Sequence, residues 1–288
     1  MAAMNTIGEQ ALEPVISIRN MRKDRLQGSN EAYSLLVPVL DVCQGEKILI
    51  TGPSGSGKST LLDMLGMALK PDAADSFVFR TRGNTLPKER EERTGVSASY
   101  ITSHESFDIA LAWKKQKMEH LANWRQHVGY VLQTGGLLPF LTVRENILSQ
   151  HRLLGLPKDA MADNLAETLG ITRLLRKLPS ELSVGERQRA AIARALVASP
   201  PLVLADEPTA ALDPANAAGV LRLFSQVVSE LGSTLIMVSH APEQMRGMGF
   251  RELRVELEAT DKAGVIGTHA VLREAAGSRP QSRTRSEC

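Results

Sequence analysis

Residues 52–60 read GPSGSGKST. They follow the apolar run Ile48, Leu49, Ile50 and precede Leu61, Leu62, Asp63, Met64, Leu65. Apolar strand, glycine loop and helix start, in that order, match the phosphate-binding pattern G-x-x-x-x-G-K-[ST]. Such a loop presents successive backbone N–H groups and a helix N-terminus to an anion. Gly52, Gly55 and Gly57 allow close backbone approach and turn conformations that side chains obstruct. Pro53, Ser54, Ser56 and Thr60 complete the cradle. Lys58 is placed to reach the outer phosphates and Ser59 to hold a magnesium ion. A chain carrying this feature is constrained to an α/β core with the loop at a strand's carboxyl end.

The 288 residues suffice for one large domain or two small ones. Aromatic residues make up only 4%, so an aliphatic core is expected. Net charge is +2, which gives no argument for nucleic acid. No apolar run approaches the roughly 18 residues that suggest a membrane span, and the N-terminal stretch does not read as a signal peptide. Cys43 and Cys288 suggest neither a disulfide framework nor a metal site, so a reducing compartment is expected.

Strand candidates lie at 15–18, 34–42, 76–80, 128–133, 202–205, 234–238, 251–258 and 264–272. Pro38 marks 34–42 as an edge or interrupted strand, and residues 24–34 read as a turn or hairpin loop. The helix after Lys58 is expected to run to about Lys70. Helices are also expected at 144–154, 159–169 and 171–178, then from Ser183 and from Pro214. Thr142 with Glu145 has capping-box spacing. Residues 81–125 begin as a charged loop and continue as an amphipathic helix over 107–125, which contains both tryptophans. Residues 1–13 and 276–288 are expected to be flexible.

Three further stretches carry chemistry. Leu202, Val203, Leu204 and Ala205 form an apolar run ending in Asp206, a carboxylate suited to a magnesium shell. Glu207, next to it, is suited to activate a water molecule. Gln133 ends one strand and His240 follows another; each residue alone is more often structural or solvated. Ser183 and Glu186 have capping-box spacing, and with Gly185 they form either a simple cap or an anion site at a helix N-terminus. Asp213, before Pro214, reads equally as a helix cap.

In sum, GPSGSGKST, Gln133, LSVGERQR, LVLADEPTAALD and His240, in this order, resemble the nucleotide-binding subunit of an ABC transporter. The likeness covers most of residues 15–245 and is closest to the lipoprotein-release, macrolide-export and cell-division subgroup. It implies a P-loop NTPase core with an antiparallel β subdomain and a helical subdomain. It implies one domain over 14–275, with the helical lobe at about 134–199 and an insertion within 81–125. By resemblance, ATP and Mg2+ are the cofactors, with Ser59, Gln133 and Asp206 around the metal. Glu207 is the expected base, assisted by His240 and Gln133. Ser183, Val184, Gly185 and Glu186 of a second copy are expected to close over the terminal phosphate in a head-to-tail homodimer, with Asp213 at the seam. The resemblance also implies an integral membrane subunit docked on 134–181, and a peripheral position on the inner face of the cytoplasmic membrane.

Three departures from the family pattern stand out. Val184 replaces the usual second glycine of the signature. The aromatic that stacks on adenine falls at Arg25, leaving Arg25 or Tyr33 as the platform. The separation of Lys58 and Gln133 is longer than the family pattern, and the excess falls within 81–125. Two other functional classes remain beside the transport ATPase: a soluble ATPase acting on nucleic acid or ribosomes, and a weakly hydrolysing structural or regulatory partner. Long coiled coils, zinc cysteines and a second nucleotide domain, which mark many soluble relatives, are not evident.

Overall fold

The computed structural model describes residues 14–27, 31–81, 105–117, 119, 121, 127–155, 160–262 and 265–275. The elements, in order, are β1 (Ile16–Gln27), β2 (Glu31–Val42), β3 (Lys47–Thr51), α1 (Lys58–Leu65), β4 (Ser76–Thr81), β5 (Glu105–Asp108), α2 (Ile109–Lys114) and β6 (Val128–Val131). There follow α3 (Val143–Ile147), α4 (Ser149–Leu154), α5 (Met161–Thr168), α6 (Val184–Leu196), β7 (Leu202–Asp206), α7 (Pro214–Leu231), β8 (Thr234–Val238), β9 (Phe250–Lys262) and β10 (Val265–Glu274).

The strands form one sheet in the order β5-β4-β1-β2-β10-β9-β3-β8-β7-β6. From β9 to β6 all neighbours are parallel, and β5, β4, β1 and β2 are antiparallel. The parallel strands read as continuous apolar runs because both faces are covered; β8, for example, is buried at all five residues. One apolar cluster joins α3, α5, α6 and α7 to the sheet through residues such as Ile147, Leu165, Ile192, Phe224 and Val203. The other joins α1 to the antiparallel strands through Leu61, Leu62, Ile18, Leu35 and Phe79. Among the described residues β3, β6, β7 and β8 supply both clusters, as Leu49 and Ile50 illustrate.

Several expectations need correction. β1 extends well beyond 18, and β1 and β2 pair from Ile16↔Val42 to Gln27↔Glu31, so most of 24–34 is strand. β2 is an interior strand despite Pro38. Register places Pro38 opposite Asn20, which lies between the paired residues Arg19↔Val39 and Met21↔Val37. Asn20 has φ 48°, a local irregularity that relieves the ladder of the missing proline N–H. Pairing of β2 with β10 stops at Leu36, so Pro38 interrupts no ladder on that side.

Helix α1 ends at Leu65 instead of Lys70; Gly66 caps it and Met67 turns at φ 54°. The expected helix 107–125 begins instead as strand β5, paired with β4, and α2 starts only at Ile109, capped by the Asp108 side chain. Trp124 and residues 82–104 lie outside the described residues. Segment 144–154 is divided at Leu148. Segment 171–178 holds only a short 3-10 turn, Thr172–Leu174. Its carbonyls turn outward to cap α3: Val143 N–H donates to Lys177 O and Arg144 N–H to Leu175 O. Cys43 is disulfide-bonded, against the expectation from sequence; Cys288 lies outside the described residues. Among the described residues, no helix is long and apolar enough to cross a membrane.

Candidate functional site

The carboxyl ends of β3, β8, β7 and β6 lie side by side in the sheet. They deliver, in that order, the glycine loop, His240, Asp206 with Glu207, and Gln133. Parallel register thus gathers residues spread over nearly 190 positions onto one edge, where open α/β sheets bind ligands.

The loop leaves β3 with Gly52 at φ 145° and reaches α1 through Gly55 (φ 75°) and Gly57 (φ 86°). A Cβ at Gly52 would lie 2.7 Å from the Val255 carbonyl oxygen, and one at Gly57 would lie 2.6 Å from the Tyr33 hydroxyl. Both conformation and space therefore require glycine at these two positions. No side chain caps α1, which leaves its first N–H groups for an anion. Pro53, Ser54, Gly55 and Ser59 are exposed, while Ser56 and Thr60 are buried. Lys58 Nζ folds back to Gly52 O (3.0 Å) and Pro53 O (2.8 Å). Burial lowers its pKa from the ordinary lysine value, while the carboxylates of Glu207 and Asp206 oppose that shift.

Glu207 adopts φ 45°, an uncommon conformation for a side-chain-bearing residue. Its N–H donates to Val238 O at 3.0 Å, pinning the turn to β8. Its carboxylate is thereby aimed two ways: Oε1 lies 2.9 Å from His240 Nε2, and Oε2 accepts from Gln133 Nε2 at 3.4 Å. Gln133 and His240, which sequence left individually ambiguous, thus form one cluster with Glu207.

Asp206 Oδ1 and Ser56 Oγ are buried without a hydrogen-bond partner. A desolvated, uncompensated carboxylate oxygen fits a cation, and a buried hydroxyl beside a glycine loop fits phosphate oxygens. Among the described residues no group of three or more His, Cys, Asp or Glu could hold a metal ion. Magnesium needs no such cage when phosphate and water supply its remaining oxygens.

The structure also places the other candidates. Tyr33 packs on Gly57, half-buried, and burial raises its hydroxyl pKa to about 12. Arg25 is its cross-strand partner and is exposed. Ser183 and Glu186 form a complete capping box on α6. The Ser183 backbone N–H, first, and then its hydroxyl hold the Glu186 carboxyl below its usual pKa. Val184 is 42% exposed, at the first position of α6. Asp213 caps α7 and is bonded to Asn216 by side chain and backbone. Among the described residues no hydrogen bond joins 183–186 to 52–60.

Several supporting residues carry no sequence motif. Asn146, fully buried, donates to the carbonyls of Leu138, Leu141 and Thr142 and accepts from Leu138 N–H. Tyr130 donates to Asp63 at 3.2 Å, bridging β6 to α1. Arg194 donates to Gly136 O at 2.6 Å and Gly135 O at 2.9 Å. An arginine in the last turn of a helix is too common a sequence event to have signalled this.

Strand order, glycine loop and carboxylate cluster define a phosphate-loop ATPase. The family model described as ABC transporter matches residues 38–210, and the chain belongs to that family. It is 34% identical over 230 residues to the lipoprotein-releasing system ATP-binding protein LolD of Saccharophagus degradans, covering 79% of this chain and 88% of that protein. It is 34% identical to the macrolide export ATP-binding/permease protein MacB of Bradyrhizobium diazoefficiens, covering 94% of this chain but 37% of that protein. Among solved structures it resembles a dimeric post-hydrolysis state of the ATP-binding cassette MJ0796 bound to ADP and Pi. The TM-score there is 0.60 at 27% identity, covering 83% of this chain and 93% of that one.

Proposed function

We propose that the chain works as a head-to-tail pair that hydrolyses ATP and drives an integral membrane subunit. The observation that carries this reading is the meeting of Gln133, Glu207 and His240 beside the phosphate loop. In it, residues 52–60 hold the phosphates and Ser59, Gln133 and Asp206 hold magnesium. Magnesium, when bound, neutralises phosphate charge and polarises the terminal phosphoryl group. Glu207 accepts a proton from the attacking water, and its strained turn keeps the carboxylate from rotating away. His240 fixes one carboxylate oxygen, and Gln133 steadies the other. Ser183, Val184, Gly185 and Glu186 of the second copy close over the terminal phosphate, with Asp213 at the seam. The dimeric state of the MJ0796 cassette supports this arrangement. The base rests on Arg25, which is exposed, while Tyr33 supports the loop from below.

One ATPase domain spans 14–275, with a helical lobe at about 134–199. The membrane subunit docks on 134–181. That segment carries exposed Phe140 (74%) and Leu153 (86%) and a cavity of about 450 Å3 lined by Arg144, Arg152, Arg176 and Leu175. The chain therefore sits on the inner face of the cytoplasmic membrane through its partner. The ATP-binding/permease description of the MacB relative supports this coupling.

The test is sedimentation of the purified chain with ATP and magnesium. Glu207→Gln is expected to bind ATP, lose turnover by at least about 100-fold and accumulate as a dimer. Lys58→Ala is expected to stay monomeric with weakened ATP binding. Normal turnover by Glu207→Gln would exclude its role as base.

A further inference from the structure

We propose that Arg194 is a positioning residue that ties Gln133 to the helix bearing Ser183. The inference rests on the role assigned to Gln133 above. Gln133 is followed by two consecutive left-handed glycines, Gly135 (φ 74°) and Gly136 (φ 59°). This conformation turns both carbonyls toward α6, where the Arg194 fork takes one with each terminal nitrogen. A two-pronged charged donor is among the stronger hydrogen-bonding arrangements and fixes direction as well as distance.

The rest of the helix face is fitted to the same segment. A Cβ at Gly135 would meet Ala191 Cβ at 3.5 Å and Gln188 Oε1 at 3.6 Å. Gln188, Ala191 and Arg194 recur at helical spacing along one face of α6. Four residues before Gln133, Gly129 of β6 lies so close to Ala195 O that no side chain fits between them. Helix α6 is thus seated on β6 before Gln133 and on the loop after it. Gln133 is spanned by contacts to a single rigid element.

That element begins at Ser183, about three turns from Arg194. The Gln133 contact to Glu207 is 3.4 Å, at the long end of a hydrogen bond. A small shift of α6 relative to β7 is therefore enough to make or break it. Arg194 makes the approach of the signature helix and the placement of Gln133 one motion. Without Arg194 the two glycine carbonyls lose their hydrogen bonds to α6, and only packing ties the loop after Gln133 to that helix.

The test is a double-mutant cycle on steady-state ATP hydrolysis by the full chain, with urea unfolding of each variant alongside. Arg194→Met is expected to lower kcat about 10-fold while KM for ATP stays within about 3-fold, because the phosphate loop is untouched. Arg194→Lys, which keeps the charge but offers a single donor head, is expected to recover part of the loss. Combined with Gln133→Ala, Arg194→Met is expected to add less than about 2-fold to the loss from Gln133→Ala alone. If Arg194→Met does not fold, the same cycle is run with Arg194→Lys. Losses that multiply in the double variant, or a rise in KM without loss of kcat, overturn the inference while leaving the role of Gln133 intact. Full turnover by Gln133→Ala overturns both.

Discussion

Glu207 Oε1 and His240 Nε2 stand 2.9 Å apart although their residues end different strands, β7 and β8. The Glu207 N–H bond to Val238 O and the strained φ of Glu207 fix the backbone from which that carboxylate reaches His240. His240→Ala is accordingly expected to leave ATP binding within a few-fold of the parent and to lower kcat about 10- to 100-fold. Single-turnover hydrolysis measures this directly. A selective loss of ATP affinity with normal turnover would reassign His240 to nucleotide binding.

The Tyr33 hydroxyl is buried without a partner and packs where a Gly57 side chain would stand. Tyr33→Phe removes an unsatisfied group and is expected to change stability by between zero and about 1 kcal/mol in the stabilising direction. KM for ATP is expected to be unchanged. Gly57→Ala meets both a φ of 86° and the Tyr33 oxygen, so it is expected to abolish tight ATP binding. Urea unfolding and nucleotide titration distinguish the two; a large KM increase in Tyr33→Phe would place that hydroxyl at the nucleotide.

Arg251 is 7% exposed and joins four segments: it donates to Glu46, to Glu274 and to the Asp41 carbonyl from its place on β9. Glu46 in turn accepts from Cys43 N–H in the turn that leads into β3. Arg251→Ala leaves the part-buried Glu46 carboxylate with only the Cys43 N–H as partner and is expected to destabilise the fold by about 2 kcal/mol. Equilibrium urea unfolding checks it, and a change below about 1 kcal/mol would reduce the network to an ordinary surface pair.

Acid sensitivity follows from the capping carboxylates. Glu186 and Glu145 are held below their usual pKa chiefly by the backbone N–H groups of Ser183 and Thr142. Asp163 is held down by its hydrogen bond from Arg144. Folded values below unfolded ones mean that this stability is present above about pH 4.3 and is lost as pH falls through the folded values. The urea midpoint is expected to hold from neutrality to about pH 5 and to fall below about pH 4. Glu186→Gln is expected to make that acid decline shallower; an unchanged slope would show that the cap carries no linked proton.

The local sequence determined a great deal. GPSGSGKST required a strand, an anion-binding turn and a helix within a few residues, and the structure has them. The run ending at Asp206 and Glu207 marked a buried strand with carboxylates at its tip, since only a strand covered on both faces is so uniformly apolar. Thr142 with Glu145 and Ser183 with Glu186 announced helix starts because capping acts over three residues. Where Gln133 and His240 stand was decided only by parallel register, which joins strand ends far apart in the chain. Pro38 is tolerated inside a sheet because Asn20, on another strand, takes up the irregularity. Arg194 became a structural tie only when two glycines turned their carbonyls to meet it. Short-range hydrogen bonding and periodicity are written within a few residues. The packing that selects which distant groups touch is a property of the assembled sheet and its helices.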